Sequence, residues 1–198
     1  MNKRPITATI YNTDAAFDAL YPERIQQLSR RHWTPVSIAR KAAHFLSNGG
    51  EKKILDIGSG IGKFCLIGAV YYPDSTFYGV EQREDLHNYA LAAKEVMKAE
   101  NVEFIHANFT SLDLDAFDSF YFYNSFFENL DKDDRIDNST EFSSRKYIYY
   151  SRHLMKALND RPSGTRLASF HSLGDEVPDA YQLVEASDDL LFKMYIKR

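Results

Sequence analysis

Asp56-Ile57-Gly58-Ser59-Gly60-Ile61-Gly62 is the stretch of this chain whose residue types and spacing ask most clearly for a ligand. Alternate glycines permit a tight turn and let a ligand approach the backbone. The helix start beyond them offers N–H groups without partners. One acid, Asp56, stands two residues before the first glycine, and a second, Glu81, lies 25 residues after Asp56. A carboxylate placed there can accept hydrogen bonds from both hydroxyls of a ribose. Further along, Asn108-Phe109 and Asn124-x-x-Phe127 each set an amide, able to accept a hydrogen bond, near an aromatic ring.

Two cofactors suit this arrangement. A dinucleotide fold prefers G-x-G-x-x-G, whose third glycine allows close helix–strand packing while the loop cradles a pyrophosphate. Here the pattern is G-x-G-x-G with Asp56 ahead of it. An acid in that position repels a pyrophosphate, but it pairs with an ammonium group through the loop or a water. S-adenosylmethionine carries such an ammonium and no phosphate, so the residues favour the methyl donor.

Alternating elements must hold these residues in place. Ile54-Leu55-Asp56-Ile57 is a short apolar run ending in glycines, as a buried parallel strand does. Gly62 to Tyr72 reads as a helix, Thr76 to Glu81 as a second strand, and Leu86, Ala90, Ala93 and Met97 as one face of the next helix. Strands follow at Val102 to Ala107 and Ser119 to Tyr123, then a polar loop from Asp131 to Glu141 and a helix from Ser143 to Leu158. Three further strands run Arg166 to Phe170, Tyr181 to Ala186 and Leu190 to Lys197. Ahead of the first strand, residues 12–32 read as one or two helices. Thr34 caps the next one, with Pro35 in its first turn and Val36, Ala39, Ala43 and Leu46 as its stripe. The pattern predicts an α/β fold: a Rossmann-like doubly wound sheet, mostly parallel, with an antiparallel strand in a terminal β-hairpin, plus N-terminal helices.

From about residue 34 to its C-terminus the chain resembles the class I S-adenosylmethionine-dependent methyltransferases. Ile54 to Gly62 is similar to their first motif, and Tyr78-Gly79-Val80-Glu81 to their acidic second-strand motif. The resemblance implies that Asp56 and the loop residues Gly58, Ser59, Gly60 and Gly62 hold the methionine part, and Glu81 the ribose. Asn108 stands where these enzymes carry an acid for the adenine amino group, and its amide oxygen can accept the same hydrogen bond. Phe109 either packs on the adenine or belongs to the core. Asn124-x-x-Phe127 resembles the Asn/Asp-Pro-Pro-Tyr/Phe motif of enzymes that methylate adenine, cytosine or glutamine nitrogens, without its two prolines. There the Asn oxygen holds the attacking amine and the ring stacks on the acceptor, so Asn124 and Phe127 are the catalytic candidates. Glu128 can serve as a base or orient an amine. The same stretch also looks like the Dot1-type histone lysine methyltransferases, whose substrate elements are not recognisable here. Trp33-Thr34-Pro35 is similar to a segment of some amino-methyltransferases, which gives Thr34 a contact to the methionine carboxylate as the alternative to capping. The resulting division is an N-terminal helical extension, 1–50, covering the cofactor site, and a class I methyltransferase domain, 51–198.

A net charge of -4 and a pI near 5.9 disfavour a dedicated nucleic-acid binder. The charge is uneven: residues 1–53 carry nine Lys/Arg against four Asp/Glu, net +5, which leaves -9 on the remainder. That basic face serves an acidic partner or is plain solvated helix surface. No apolar run approaches the ~20 residues that span a bilayer, Met1 to Ile10 lacks an apolar signal core, and the single cysteine, Cys65, forms no intrachain disulfide. These features predict a cytoplasmic protein without membrane contact. Six histidines without close ligand spacing predict no metal. The leading reading is methyl transfer to a nitrogen of a protein or small molecule. A non-catalytic S-adenosylmethionine-binding protein and an NAD-dependent oxidoreductase are the alternatives.

Overall fold

A computed structural model describes residues 11–131, 133, 135–137 and 140–198. Met1 to Ile10, read above for targeting, and four residues of the polar loop lie outside it. Three short helices, α1 (Asp14–Asp18), α2 (Glu23–Gln26) and α3 (Ser29–His32), replace the one or two expected over 12–32. Pro22 occupies the N-cap of α2 and interrupts the run. Helix α4 (Val36–Leu46) buries the anticipated stripe of Val36, Ala39, Ala43 and Leu46. Thr34 does not cap it. Pro35 takes the N-cap position, and the Val36 N–H donates to Asp14 Oδ1 at 2.9 Å, a side chain 22 residues upstream. The Thr34 hydroxyl instead shares a buried 2.8 Å hydrogen bond with the Tyr121 hydroxyl.

Seven strands form one sheet: β1 (Lys53–Ile57), β2 (Thr76–Glu81), β3 (Val102–His106), β4 (Ser119–Tyr123), β5 (Arg166–Phe170), β6 (Tyr181–Ala186) and β7 (Phe192–Lys197), in the order β3-β2-β1-β4-β5-β7-β6. The first five pair in parallel, and β7 runs antiparallel to both β5 and β6. The last strand begins at Phe192 and not at Leu190, because Leu190 adopts a left-handed φ of 59° inside the hairpin turn.

Helices α5 (Lys63–Tyr71), α6 (Glu84–Met97) and α7 (Ser144–Asn159) cover the sheet. Side chains alternate along a strand, so neighbouring residues of β1 and β4 feed opposite cores. Ile54 and Tyr121 join the core with Phe17, Ala39 and Phe64, whereas Leu55, Phe120 and Phe122 pack with Leu154 and Leu158. Each fully buried Phe or Leu there contributes roughly 2–3 kcal/mol. Residues 11–50 belong to the first of these cores. They are tied to it by buried Lys63, which pairs with Asp14 at 2.7 Å and Asp18 at 2.8 Å, and by the Tyr21 hydroxyl, which donates to the Ile61 carbonyl at 2.9 Å. The chain progresses outward from β1 in opposite directions on either side of β1 and β4. The carboxyl end of β1 is therefore the switch point at which such sheets bind ligands. Among the described residues no helix is long and apolar enough to cross a membrane.

Candidate functional site

The carboxyl ends of β1, β2, β4 and β5 open into a cleft of about 730 Å³, a size suited to a cofactor and part of a second substrate. One wall is the turn after β1. Gly58 and Gly60 take φ values of 75° and 54°, which glycine adopts without a steric penalty. A Cβ on Gly58 would lie 2.4 Å from Ser125 Oγ, whereas one on Gly60 would meet nothing within 4 Å. The turn uses its own amides. The N–H groups of Gly58 and Ser59 donate to the Val80 carbonyl at 3.0 and 2.9 Å, Gly60 donates to Glu81 Oε2 at 3.0 Å, and Gly62 to the Ser59 carbonyl at 2.8 Å. These four donors are aimed into the protein, so they make no cradle for a pyrophosphate.

Two acids take the place such a cradle would occupy. Asp56 and Glu81 are 4% and 5% exposed. Burial, then the charge of Glu81, holds the Asp56 carboxyl well above the usual carboxylate range, and burial also raises Glu81. Asp56 receives a hydrogen bond from the Cys65 thiol at 3.8 Å, a weak partner for a buried charge. It faces a chamber of about 30 Å³ that Thr34, Gly58 and Ser59 also border. Two buried polar atoms on that wall, Trp33 Nε1 and Ser59 Oγ, have no hydrogen-bond partner among the described residues. Asp56, an acid short of donors beside orphaned polar atoms, fits a nucleoside ligand whose tail carries both an ammonium and a carboxylate.

Beyond Glu81 lie the residues expected to receive the base. Asn108 Nδ2 donates to Gln82 Oε1 at 3.1 Å and to the Tyr150 hydroxyl at 2.8 Å, while its oxygen accepts from the Thr110 N–H and hydroxyl. Phe109 is 6% exposed and stacks on Phe126 with centroids 5.1 Å apart. It borders the cleft and belongs to the core at once.

The opposite wall is built from the strand ends of β4 and β5. Asn124 sits just past β4 at φ 38°, and the Phe127 N–H donates to its carbonyl at 3.0 Å. The Ser125 hydroxyl donates to the Ile57 carbonyl at 2.6 Å, which locks this turn against the donor loop. Across from it, His171 holds φ 54° and lies against the rings of Phe170 and Tyr123 at 4.4 and 5.6 Å. Glu128 is engaged by Arg83 Nη2 at 2.6 Å, which opposes its use as a mobile base.

Of the residues singled out in the sequence, Gly58, Gly60, Glu81, Asn108, Phe109, Asn124 and Phe127 line the cleft, and Thr34, Asp56 and Ser59 border the small chamber beside it. Gly62 lies on neither wall: its Cβ would collide with the Phe104 ring at 2.3 Å, so this glycine serves helix–sheet packing. Sequence reading missed Arg83, Ser125 and His171. Each acquires its place through a partner distant in the chain, and none carries a local signal.

A protein-family model described as a methyltransferase domain matches residues 48–148, just over half of the chain. A tRNA (guanine-N(7)-)-methyltransferase of Synechococcus sp. (strain JA-3-3Ab) is 44% identical over 59 residues, which are 30% of this chain and 25% of that protein. The chain thus matches about a quarter of the length of this curated relative. Among solved structures, an RNA methyltransferase from Salinibacter ruber in complex with S-adenosyl-L-homocysteine superposes with a TM-score of 0.55 at 20% identity, covering 83% of this chain and 91% of that one. TrmN from Thermus thermophilus gives 0.58 at 17% identity over 82% of this chain and 48% of its own. At these identities the likeness establishes the fold.

Proposed function

This chain belongs to the methyltransferase-domain family, an S-adenosylmethionine-dependent class I fold, and on that premise we propose that the whole protein transfers a methyl group to a nitrogen of a protein or small-molecule acceptor. The observation that carries this reading is one continuous cleft joining Glu81 on the donor wall to Asn124 and Phe127, with the Asp56 chamber beside it. Asp56, through the small chamber, and the Gly58–Gly60 turn hold the methionine end, with Thr34 and Ser59 on the chamber wall. Glu81 holds the ribose, and Asn108 with Phe109 bounds the adenine. Residues 11–50 cover the site through Trp33. When bound, S-adenosylmethionine supplies a methyl group already activated on a sulfonium, so alignment and exclusion of water are the protein's main tasks. The Asn124 side-chain oxygen orients an acceptor amine, Phe127 walls its far side, and Tyr123 and Trp33 limit the water that reaches it.

A second reading places the nitrogen on an RNA base. Arg30, Arg31 and Lys193 stand on the cleft wall, a charge suited to phosphate, and the partial relative from Synechococcus is a tRNA methyltransferase by name. The basic N-terminal segment, residues 1–53, reads the same way, whereas the chain's overall acidity does not. The test begins with titration calorimetry of S-adenosylmethionine and S-adenosylhomocysteine against the native protein and Asp56→Ala, with NADH as control. Micromolar binding lost in the variant supports the donor site. No binding sinks it. Radiolabelled methyl transfer to amines, peptides and bulk tRNA then separates the two acceptor classes.

A further inference from the structure

Glu81 is not an isolated acid at the end of β2. Its Oε2 accepts the Gly60 N–H at 3.0 Å and its Oε1 accepts the Arg83 N–H at 2.8 Å. Arg83 is 6% exposed, and its guanidinium reaches three acids at once. Its Nη1 is 4.0 Å from Glu81 Oε1, its Nη2 is 2.6 Å from Glu128 Oε2, and its Nε is 3.4 Å from Asp137 Oδ1. Glu128 passes the connection on, because its Oε2 also accepts the Ile136 N–H at 3.1 Å and its carbonyl accepts from Arg135 Nε at 3.3 Å. One buried cation therefore joins the donor acid to the turn Phe127–Asn129 and to residues 135–137, and the same turn carries Phe127 into the cleft.

The contacts are unequal. The Glu81 link is the longest of the three ion pairs, and the Glu128 link the shortest. A ribose that donates two hydroxyls to Glu81 competes for Oε1, which now faces Arg83, and for Oε2, which now accepts from Gly60. The guanidinium cannot be left unpaired when buried, so weakening the Glu81 contact drives it onto Glu128 and Asp137. A rigid brace would hold the acceptor wall equally with or without a ligand. A shared acid makes the hold depend on the ligand, and by linkage the dependence is reciprocal.

We propose that Arg83 is a positioning residue that conveys occupancy of Glu81 to Glu128, so that cofactor binding sets the acceptor wall formed by Asn124, Phe127 and Ile136. The inference rests on the methyl-donor reading above. It is tested by amide exchange followed by NMR, with and without S-adenosylhomocysteine, in the native protein, Arg83→Gln and Glu128→Gln. Calorimetry confirms ligand binding to each. In the native protein the ligand slows exchange at Ile136 about tenfold, within the usual range of coupling between sites. In Arg83→Gln the ligand still protects Gly60, but its increment at Ile136 disappears. Should Arg83→Gln lose its cooperative melting transition, Glu128→Gln cuts the same link at the loop end, leaves Glu81 and Arg83 in place, and loses the same increment. A purely structural role lowers protection in both ligation states and leaves the increment intact, which overturns the proposal. Binding without any native increment overturns it alone. Absence of binding to the native protein overturns the donor reading and this inference together.

Discussion

On the donor wall the residues at positive φ are glycines, Gly58 at 75° and Gly60 at 54°; on the acceptor wall they are Asn124 at 38°, His171 at 54° and Leu190 at 59°. Glycine enters that region freely, whereas a side-chain-bearing residue held there costs on the order of 1–3 kcal/mol. The donor wall is shaped by the absence of side chains, with its amides spent internally. The acceptor wall keeps side chains on strained backbone at the ends of two adjacent strands. Such strain persists only where the surroundings over-determine it. Here they do so through the Ser125–Ile57 hydrogen bond and the His171 N–H, which donates to the Leu191 carbonyl at 2.8 Å. The donor side is thus a backbone device and the acceptor side a side-chain device, and each should fail in its own way.

The largest expected effect belongs to Gly58→Ala. Its Cβ would lie 2.4 Å from Ser125 Oγ at a φ that alanine avoids, so we expect a loss of about 3 kcal/mol of stability and no measurable heat of S-adenosylhomocysteine binding. Thermal melts and calorimetry read both. A variant as stable and as tight-binding as the native protein would break the donor half of the comparison.

Asp56→Asn separates binding from stability. Folding raises the Asp56 carboxyl through burial and then through Glu81. The folded state therefore holds that proton to higher pH than the unfolded chain does. Stability at this site is present below the ordinary carboxylate range and lost as pH rises through the raised value. At neutral pH the asparagine variant should melt higher than the native protein without ligand, yet bind S-adenosylmethionine at least about tenfold more weakly, or about 1.4 kcal/mol. A lower melting temperature together with weaker binding would make Asp56 a structural residue.

Asn124→Gly sharpens the acceptor half. Relief of strain is offset by the greater chain entropy of glycine, so stability should stay within about 1 kcal/mol of native. Donor binding should not change, while methyl transfer falls about 100-fold once the amine loses its orienting oxygen. Unchanged turnover removes Asn124 from the chemistry. The smallest effect is expected for His171→Gly. Relief of strain is again offset by glycine's chain entropy and by the lost contacts to Phe170 and Tyr123, so stability stays within about 1 kcal/mol of native. We expect unaltered donor affinity and a severalfold weaker acceptor KM at constant kcat. A fall in kcat alone would move His171 from shaping the wall to acting on the reacting nitrogen.

Much of this was legible in the residues themselves. The alternation of strands and helices, the β1 and β2 ends and the terminal hairpin follow from period and from glycine placement, which are local properties. The stripe of α4 was visible for the same reason, but its cap was not. Asp14 reaches Val36 from 22 residues upstream, which only the folded chain brings together, and Thr34, the better local candidate, is drawn to Tyr121 instead. Gly62 was legible as a glycine that matters, though not as one that makes room for Phe104. Glu128 was legible as an acid able to serve as a base or orient an amine, but not as the partner of Arg83, which lies 45 residues earlier.

The sequence by itself determined the doubly wound order and the donor turn with its two acids, because backbone conformation and strand burial are set by residues within a few positions of one another. Only the tertiary structure decided which loop amides face inward, which acid is tied to which cation, and that Asn124, Phe127 and His171 share one cleft with Glu81. Those outcomes depend on distances between strand ends, and strand ends acquire neighbours only once the sheet has closed around β1.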